Sequence, residues 1–105
     1  MQHQYEYFMS DTLDLPKDVW LPFSAAGQPL SYPKGKLLYS QGEQADCFYY
    51  LCAGRIKTFI SSTDGNERLL TIYKKGDILG EASFFDGRPR VSSAQLMTDA
   101  RVVSI

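Results

Sequence analysis

The sequence predicts an all-β domain, a sandwich or barrel of about eight short strands. Three observations carry that expectation. Glycines recur at Gly42, Gly54, Gly65, Gly76 and Gly87, at intervals of 12, 11, 11 and 11 residues. The runs between them are short and rich in β-branched, Leu and aromatic residues, the composition that suits a half-buried pleated surface. No stretch carries a sustained helical period.

The elements follow in chain order. Residues 1–32 read as an irregular segment packing on the barrel, with Val19, Trp20, Leu21 and Phe23 broken up by Pro16, Pro22, Gly27 and Pro29. Asp14-Leu15-Pro16 opens a short helical turn, since Pro suits a first helical position, and Pro22 stops its growth. Trp20 and Phe23 are expected against the outside of the barrel. From Pro33 onward, residues 33–105 form the barrel itself. Its strands are expected at Lys36–Ser40, Phe48–Cys52, Arg55–Ile60, Glu67–Tyr73, Ile78–Leu79 and Ala100–Ile105. Arg55–Ile60 begins with polar–apolar alternation, as a half-buried strand does. Asp64-Gly65 lies between two such runs and signals a hairpin, because Gly accepts positive φ. Ala53-Gly54 and Lys75-Gly76-Asp77 mark further turns. The glycine interval has no matching side-chain pattern, so it reflects hairpin spacing and not a solenoid repeat.

Composition narrows the function. A chain of 105 residues suits one domain. It is 44% hydrophobic and 22% charged, a globular mix. With net charge −1 and pI near 5.7, it lacks the clustered basic charge that grips nucleic acid phosphates, so no DNA binding is expected of this segment alone. No run reaches the length of a membrane span, and Met1–Met9 has no basic region leading into an apolar core. The expected compartment is the cytoplasm. Cys47 and Cys52 are expected on opposite faces of one strand, unbridged, as small buried hydrophobes. The single histidine, His3, stands in the irregular segment. Without more imidazoles the chain offers no metal cluster and no nucleophile–base pair, and two cysteines fall short of the roughly four of an iron–sulfur site. No catalytic residue, metal or cofactor is expected; the chain reads as a binding domain and not an enzyme.

The informative stretch is residues 76–94, which leaves a strand, makes a compact turn rich in small residues and returns to a strand. Small residues let a ligand approach the backbone, and successive N–H groups in such a turn form an anion-binding nest. Arg90 stands just after Pro89, where a guanidinium can grip a phosphate with two parallel bonds. Glu81 can accept a hydrogen bond from a sugar hydroxyl. By spacing alone, the favoured reading is that Glu81 and Arg90 form an ion pair bracing a loop and that Ser92 and Ser93 are ordinary strand residues.

The same stretch resembles the phosphate-binding cassette of cyclic-nucleotide-binding domains, whose pattern is Gly-Glu, several small or apolar residues, then Pro-Arg and small residues. Gly80-Glu81 and Pro89-Arg90-Val91-Ser92 match it. Lys34-Gly35-Lys36, Gln41-Gly42-Glu43, Phe48-Tyr49-Tyr50-Leu51, Gly54-Arg55-Ile56-Lys57, Asp64-Gly65 and Lys75-Gly76-Asp77 also fall where bacterial regulators of the Crp/Fnr (catabolite activator) family carry similar residues. The resemblance implies a jelly-roll barrel, a double-stranded β-helix with short N-terminal helical turns. It also implies a ligand site made of Gly80, Glu81, Ala82, Ser83, Arg90 and Val91. Glu81 would take a ribose hydroxyl and Arg90 the cyclic phosphate, with backbone amides completing the anion site and cAMP or cGMP as effector. Many cAMP-responsive members carry serine directly after the arginine; here that residue is Val91, and Ser92 is expected to face the other way. The resemblance further implies a C-terminal helix and a DNA-binding domain, so the chain is expected to be cut before them, and a homodimer when full-length. The same fold sensing another small anion, or serving as the regulatory module of a kinase or ion channel, is the alternative.

Overall fold

Short apolar runs punctuated by turn residues have two ways to bury their inner faces, and here they pair into two antiparallel sheets. The structure is a computed structural model and describes residues 27–105. The helical turn expected at Asp14–Pro16 and the placement expected for Trp20 and Phe23 lie outside the described residues. The strands are β1 (Leu30–Tyr32), β2 (Leu37–Tyr39), β3 (Tyr49–Ala53), β4 (Ile56–Ser61), β5 (Glu67–Tyr73), β6 (Ile78–Leu79), β7 (Ser93–Leu96) and β8 (Ala100–Ser104). One helix, α1 (Glu81–Asp86), lies between β6 and β7. The first sheet has the order β1-β8-β3-β6 and the second β2-β7-β4-β5, so both are laced by crossovers, as in a jelly roll. The expected all-β jelly-roll class is the observed one.

The main core lies between the sheets. Leu51, Leu79, Ala100 and Val102 of the first sheet meet Tyr39, Ile56, Tyr73, Ala94 and Leu96 of the second. Side chains one residue along a strand point the other way. In the first sheet that second face is also apolar: Phe48, Tyr50, Ile78 and Val103 form a smaller cluster, with Phe84 of α1 packed on it. The register Tyr50↔Ile78 and Tyr50↔Val103 aligns this row, while Leu51↔Val102 aligns the inner one. Each fully buried side chain of this size contributes about 1.5–3 kcal/mol relative to exposure. This second layer fastens α1, and the loop it begins, to the barrel.

Two expectations change. Leu30–Tyr32, read as part of the irregular segment, pairs with Ala100–Val102 and joins the first sheet. Cys47 precedes β3 instead of lying in it; both cysteines are free, but both are half-buried rather than buried. Among the described residues, no helix is long and apolar enough to cross a membrane.

Candidate functional site

The loop after β6 is built by two turns of backbone geometry. Ile78 and Leu79 are pinned beside Tyr50 and Tyr49. Gly80 then turns the chain with φ 80°, a left-handed conformation that costs a residue with a Cβ roughly 1–2 kcal/mol. The turn starts α1, whose first turn holds the buried residues Glu81, Ala82 and Ser83. Glycine closes the helix as well: the Gly87 N–H donates to the Phe84 carbonyl at 3.3 Å, and Arg88 N–H to Ser83 at 3.1 Å. The expected compact turn is thus a short helix, too brief at six residues to show a period in the sequence.

Beyond Pro89 the backbone is fastened to the loop between β2 and β3. Arg90 N–H donates to the Glu43 carbonyl, and the Arg90 carbonyl accepts from Gly42 N–H, both at 2.8 Å. Ser93 Oγ accepts from Gln41 N–H at 2.9 Å. The Arg90 side chain turns inward and is 4% exposed. Its Nη1 donates to the Gly80 carbonyl and its Nη2 to the Cys47 carbonyl, each at 2.5 Å. Its guanidinium carbon stands 4.2 Å from the centre of the Tyr39 ring. A buried cation needs such acceptors and such a ring face around it, because leaving water penalises an unpaired charge.

All six residues expected in the site fall in this loop. Gly80, Glu81, Ala82 and Ser83 are buried at the start of α1, Glu81 and Ser83 completely. Arg90 reaches back to touch Gly80. Val91 is half-buried. Ser92 differs from expectation: it lies in a bend ahead of β7, with no strand alternation to turn it away, and it is fully buried. Its hydroxyl has no hydrogen-bond partner among the described residues. Sequence reasoning passed over Tyr39 and the Cys47 carbonyl, which cradle Arg90. Neither has a local signal, since Tyr39 is one aromatic in an apolar strand and every residue has a carbonyl.

The Tyr49 phenol beside the site stays protonated at ordinary pH. Burial pushes the Tyr49 phenol well above its usual range, and a hydrogen bond with the Cys47 thiol adds to this, while the Arg90 charge opposes it. Among the described residues no group of three or more His, Cys, Asp and Glu gathers to hold a metal ion. The arrangement therefore offers a buried guanidinium, helix-start amides and a buried carboxylate within one loop, a combination suited to holding a ligand with both an anionic and a hydroxyl group.

Comparison with known proteins places this loop in context. Residues 29–105 match the family described as cyclic nucleotide-binding domain. The chain is 41% identical over 78 residues to a CRP-like cAMP-activated global transcriptional regulator of Mycobacterium tuberculosis, covering 74% of this chain and 35% of that protein. It is 30% identical over 76 residues to a cAMP-dependent protein kinase regulatory subunit of Emericella nidulans, covering 72% of this chain and 18% of the other. Among solved structures, the Thermus thermophilus catabolite activator protein superposes with a TM-score of 0.72 at 29% identity, over 88% of this chain and 43% of that one. The EAL enzyme Bd1971 in its cAMP-bound form does so with a TM-score of 0.71 at 29% identity, over 74% of this chain and 21% of that one. The chain thus spans about a third of its bacterial relative and less of the fungal one. With the matched residues covering both sheets and the whole Gly80–Ser93 loop, the chain belongs to the cyclic-nucleotide-binding domain family.

Proposed function

We propose that the chain is the effector-sensing domain of a Crp/Fnr-type transcription regulator, with a cyclic nucleotide held in the Gly80–Val91 loop. Arg90 takes the cyclic phosphate, the amides at the start of α1 and at Val91 complete the anion site, and Glu81 accepts a ribose hydroxyl. The observation that carries this reading is Arg90 itself: buried at 4% exposure, yet donating to Gly80 at the mouth of the helix that presents Glu81. Higher identity to the bacterial regulator than to the fungal kinase subunit supports the regulator over the kinase module. In this reading residues 1–32 are an N-terminal segment and residues 33–105 the sensing barrel. The domain binds and does not catalyse. DNA is read by a part of the protein outside this chain, in a cytoplasmic homodimer whose two states differ in affinity for the effector.

Isothermal calorimetry of the intact protein with cAMP and cGMP tests this. Saturable binding of either, weakened by Glu81→Gln less than by loss of Arg90, is the expected result, because an amide oxygen still accepts from a hydroxyl. Binding of neither nucleotide, alongside binding of another small anion lost with Arg90, assigns the loop to a different effector.

A further inference from the structure

Arg90 lies on a ring, and that ring lies against another. The Tyr39 and Tyr49 rings are 6.2 Å apart and within 17° of parallel. They come from different sheets, Tyr39 from β2 and Tyr49 from β3. Each is held by its own ladder: Tyr39 opposite Ala94, Tyr49 opposite Leu79 and Ser104. Tyr39 is 4% exposed, so its ring has little room to turn away. The fit above it is tight. A methyl group built on Gly80 would come within 2.6 Å of Arg90 Nη1 and 3.3 Å of Tyr39 Cε2. Guanidinium planes favour aromatic faces through the ring quadrupole, most strongly when both are removed from water.

We propose that Tyr39 is a positioning residue of the anion site, its ring backed by Tyr49 to form a floor spanning both sheets that fixes where the Arg90 fork points. The floor acts on the ligand through Arg90. Two carbonyls, Gly80 and Cys47, hold the fork from its edge, and the ring holds it from its face. Three directions of support leave the guanidinium one position. An anion then meets a donor already oriented, and binding loses less side-chain freedom than it would with a mobile arginine. This deepens the proposed function and rests on it for the identity of the anion.

The test combines two measurements on the intact protein, calorimetry with cAMP and cGMP and nitrogen-edited NMR of the arginine side chains. Tyr39→Ile keeps a strand-forming residue and removes the ring. Cyclic-nucleotide binding is expected to weaken by about two- to thirtyfold, the range a desolvated cation–π contact supports. Tyr39→Phe, which keeps the ring, is expected to recover most of that loss. In the wild type the Arg90 guanidinium protons should be shifted upfield by the ring and resolved from one another; the shift should vanish in Tyr39→Ile and persist in Tyr39→Phe. Equal losses in both variants, or unchanged Arg90 signals in Tyr39→Ile, would overturn the proposal. Should Tyr39→Ile not fold, Tyr49→Leu takes its place, with a smaller expected loss of both shift and affinity, and no change in either sinks the idea. If the wild type binds neither nucleotide, the proposed function fails, and the Arg90 signals alone decide the role of Tyr39.

Discussion

Two turns of this barrel solve the same problem by opposite means. The β4–β5 hairpin loop, residues 62–66, holds itself together. Ser62 N–H donates to Asn66, Gly65 N–H to Ser62, and the Asp64 carboxylate gathers the Ser62 hydroxyl, the Asn66 amide N–H and the Asn66 side chain. Every partner lies within four residues, and the whole loop is exposed. The loop from Gly80 to Ser93 is held from outside. Besides its internal bonds it is tied to Gln41, Gly42, Glu43 and Cys47, and Arg90 is stacked on Tyr39. A turn closed by its own residues needs nothing from the rest of the chain. One closed by distant strands forms only when the barrel has formed, and it can therefore carry a buried cation that a self-contained turn could not shelter.

That contrast is broken most sharply by Arg90→Ala. The loss of charge-assisted bonds, each worth about 1.5–3 kcal/mol, should weaken anion binding roughly ten- to a hundredfold. Because Arg90 also donates to Gly80 and Cys47 in the ligand-free protein, the melting temperature should fall too. A shift of about 4–8 °C per kcal/mol is expected for a domain of this size. Arg90→Lys should restore only part of the affinity, since an ammonium has no planar fork. Paired calorimetric titrations and ligand-free melts measure both effects. A fall in melting temperature with affinity untouched would make Arg90 a brace and not a ligand-binding residue.

Gly80→Ala comes next. The added methyl meets Arg90 Nη1 at 2.6 Å, and the residue is held at φ 80°. Backbone strain alone contributes about 1–2 kcal/mol of destabilisation. The clash falls on a side chain, so the guanidinium should give way and binding should weaken with it. Gly65 also has positive φ, at 89°, but nothing lies near its missing methyl. Gly65→Ala should therefore lose stability by a similar amount while leaving affinity in place. Comparing the two variants by denaturant melts and titration separates backbone strain from displacement of Arg90. Matching affinity losses would mean that the Gly80 contact has no bearing on the site.

The same contrast explains what was legible in the sequence. Asp64-Gly65 announces its hairpin because the chemistry that closes it is local. Strands such as Glu67–Tyr73 and Ile78–Leu79 match their expected bounds, since strand-forming residues and flanking turns mark both ends. Leu30–Tyr32 was missed: between Pro29 and Pro33, three residues look irregular until Ala100–Val102 arrives to pair with them. The jelly-roll class was visible through a family pattern rather than through periodicity, and the same pattern carries the expectation of a site at Gly80–Ser83 and Arg90–Val91. Tyr39 was not visible, because an aromatic in an apolar strand is first of all a core residue, and only the fold brings Arg90 over it. Strand alternation predicts a facing for Ser92 that the bend before β7 does not obey.

The smallest expected effect belongs to the self-contained turn, and its sign can be worked out. The Ser62 hydroxyl, then the Asn66 amide N–H, hold the fully exposed Asp64 carboxyl below its usual range. A carboxyl lowered in the folded state stabilises that state when ionised. Its contribution is complete above the unfolded-chain value of about 3.9 and is lost as pH falls through the lower folded value. Between pH 5 and 8 the term is constant, so only acid melts report it. Asp64→Asn keeps an oxygen to accept from Ser62 and Asn66 but removes the charge. Its melting temperature should lie slightly below wild type at pH 6, and the gap should close as the pH drops below 4. Water screens an exposed charge, so the gap at pH 6 should be far smaller than that of Arg90→Ala. Cyclic-nucleotide affinity should be unchanged, because every bond of this loop ends within the loop. A gap that widened in acid would reverse the assigned direction of the shift. A change in affinity would show that the hairpin communicates with the Gly80–Ser93 loop, and the two turns would no longer be separate devices.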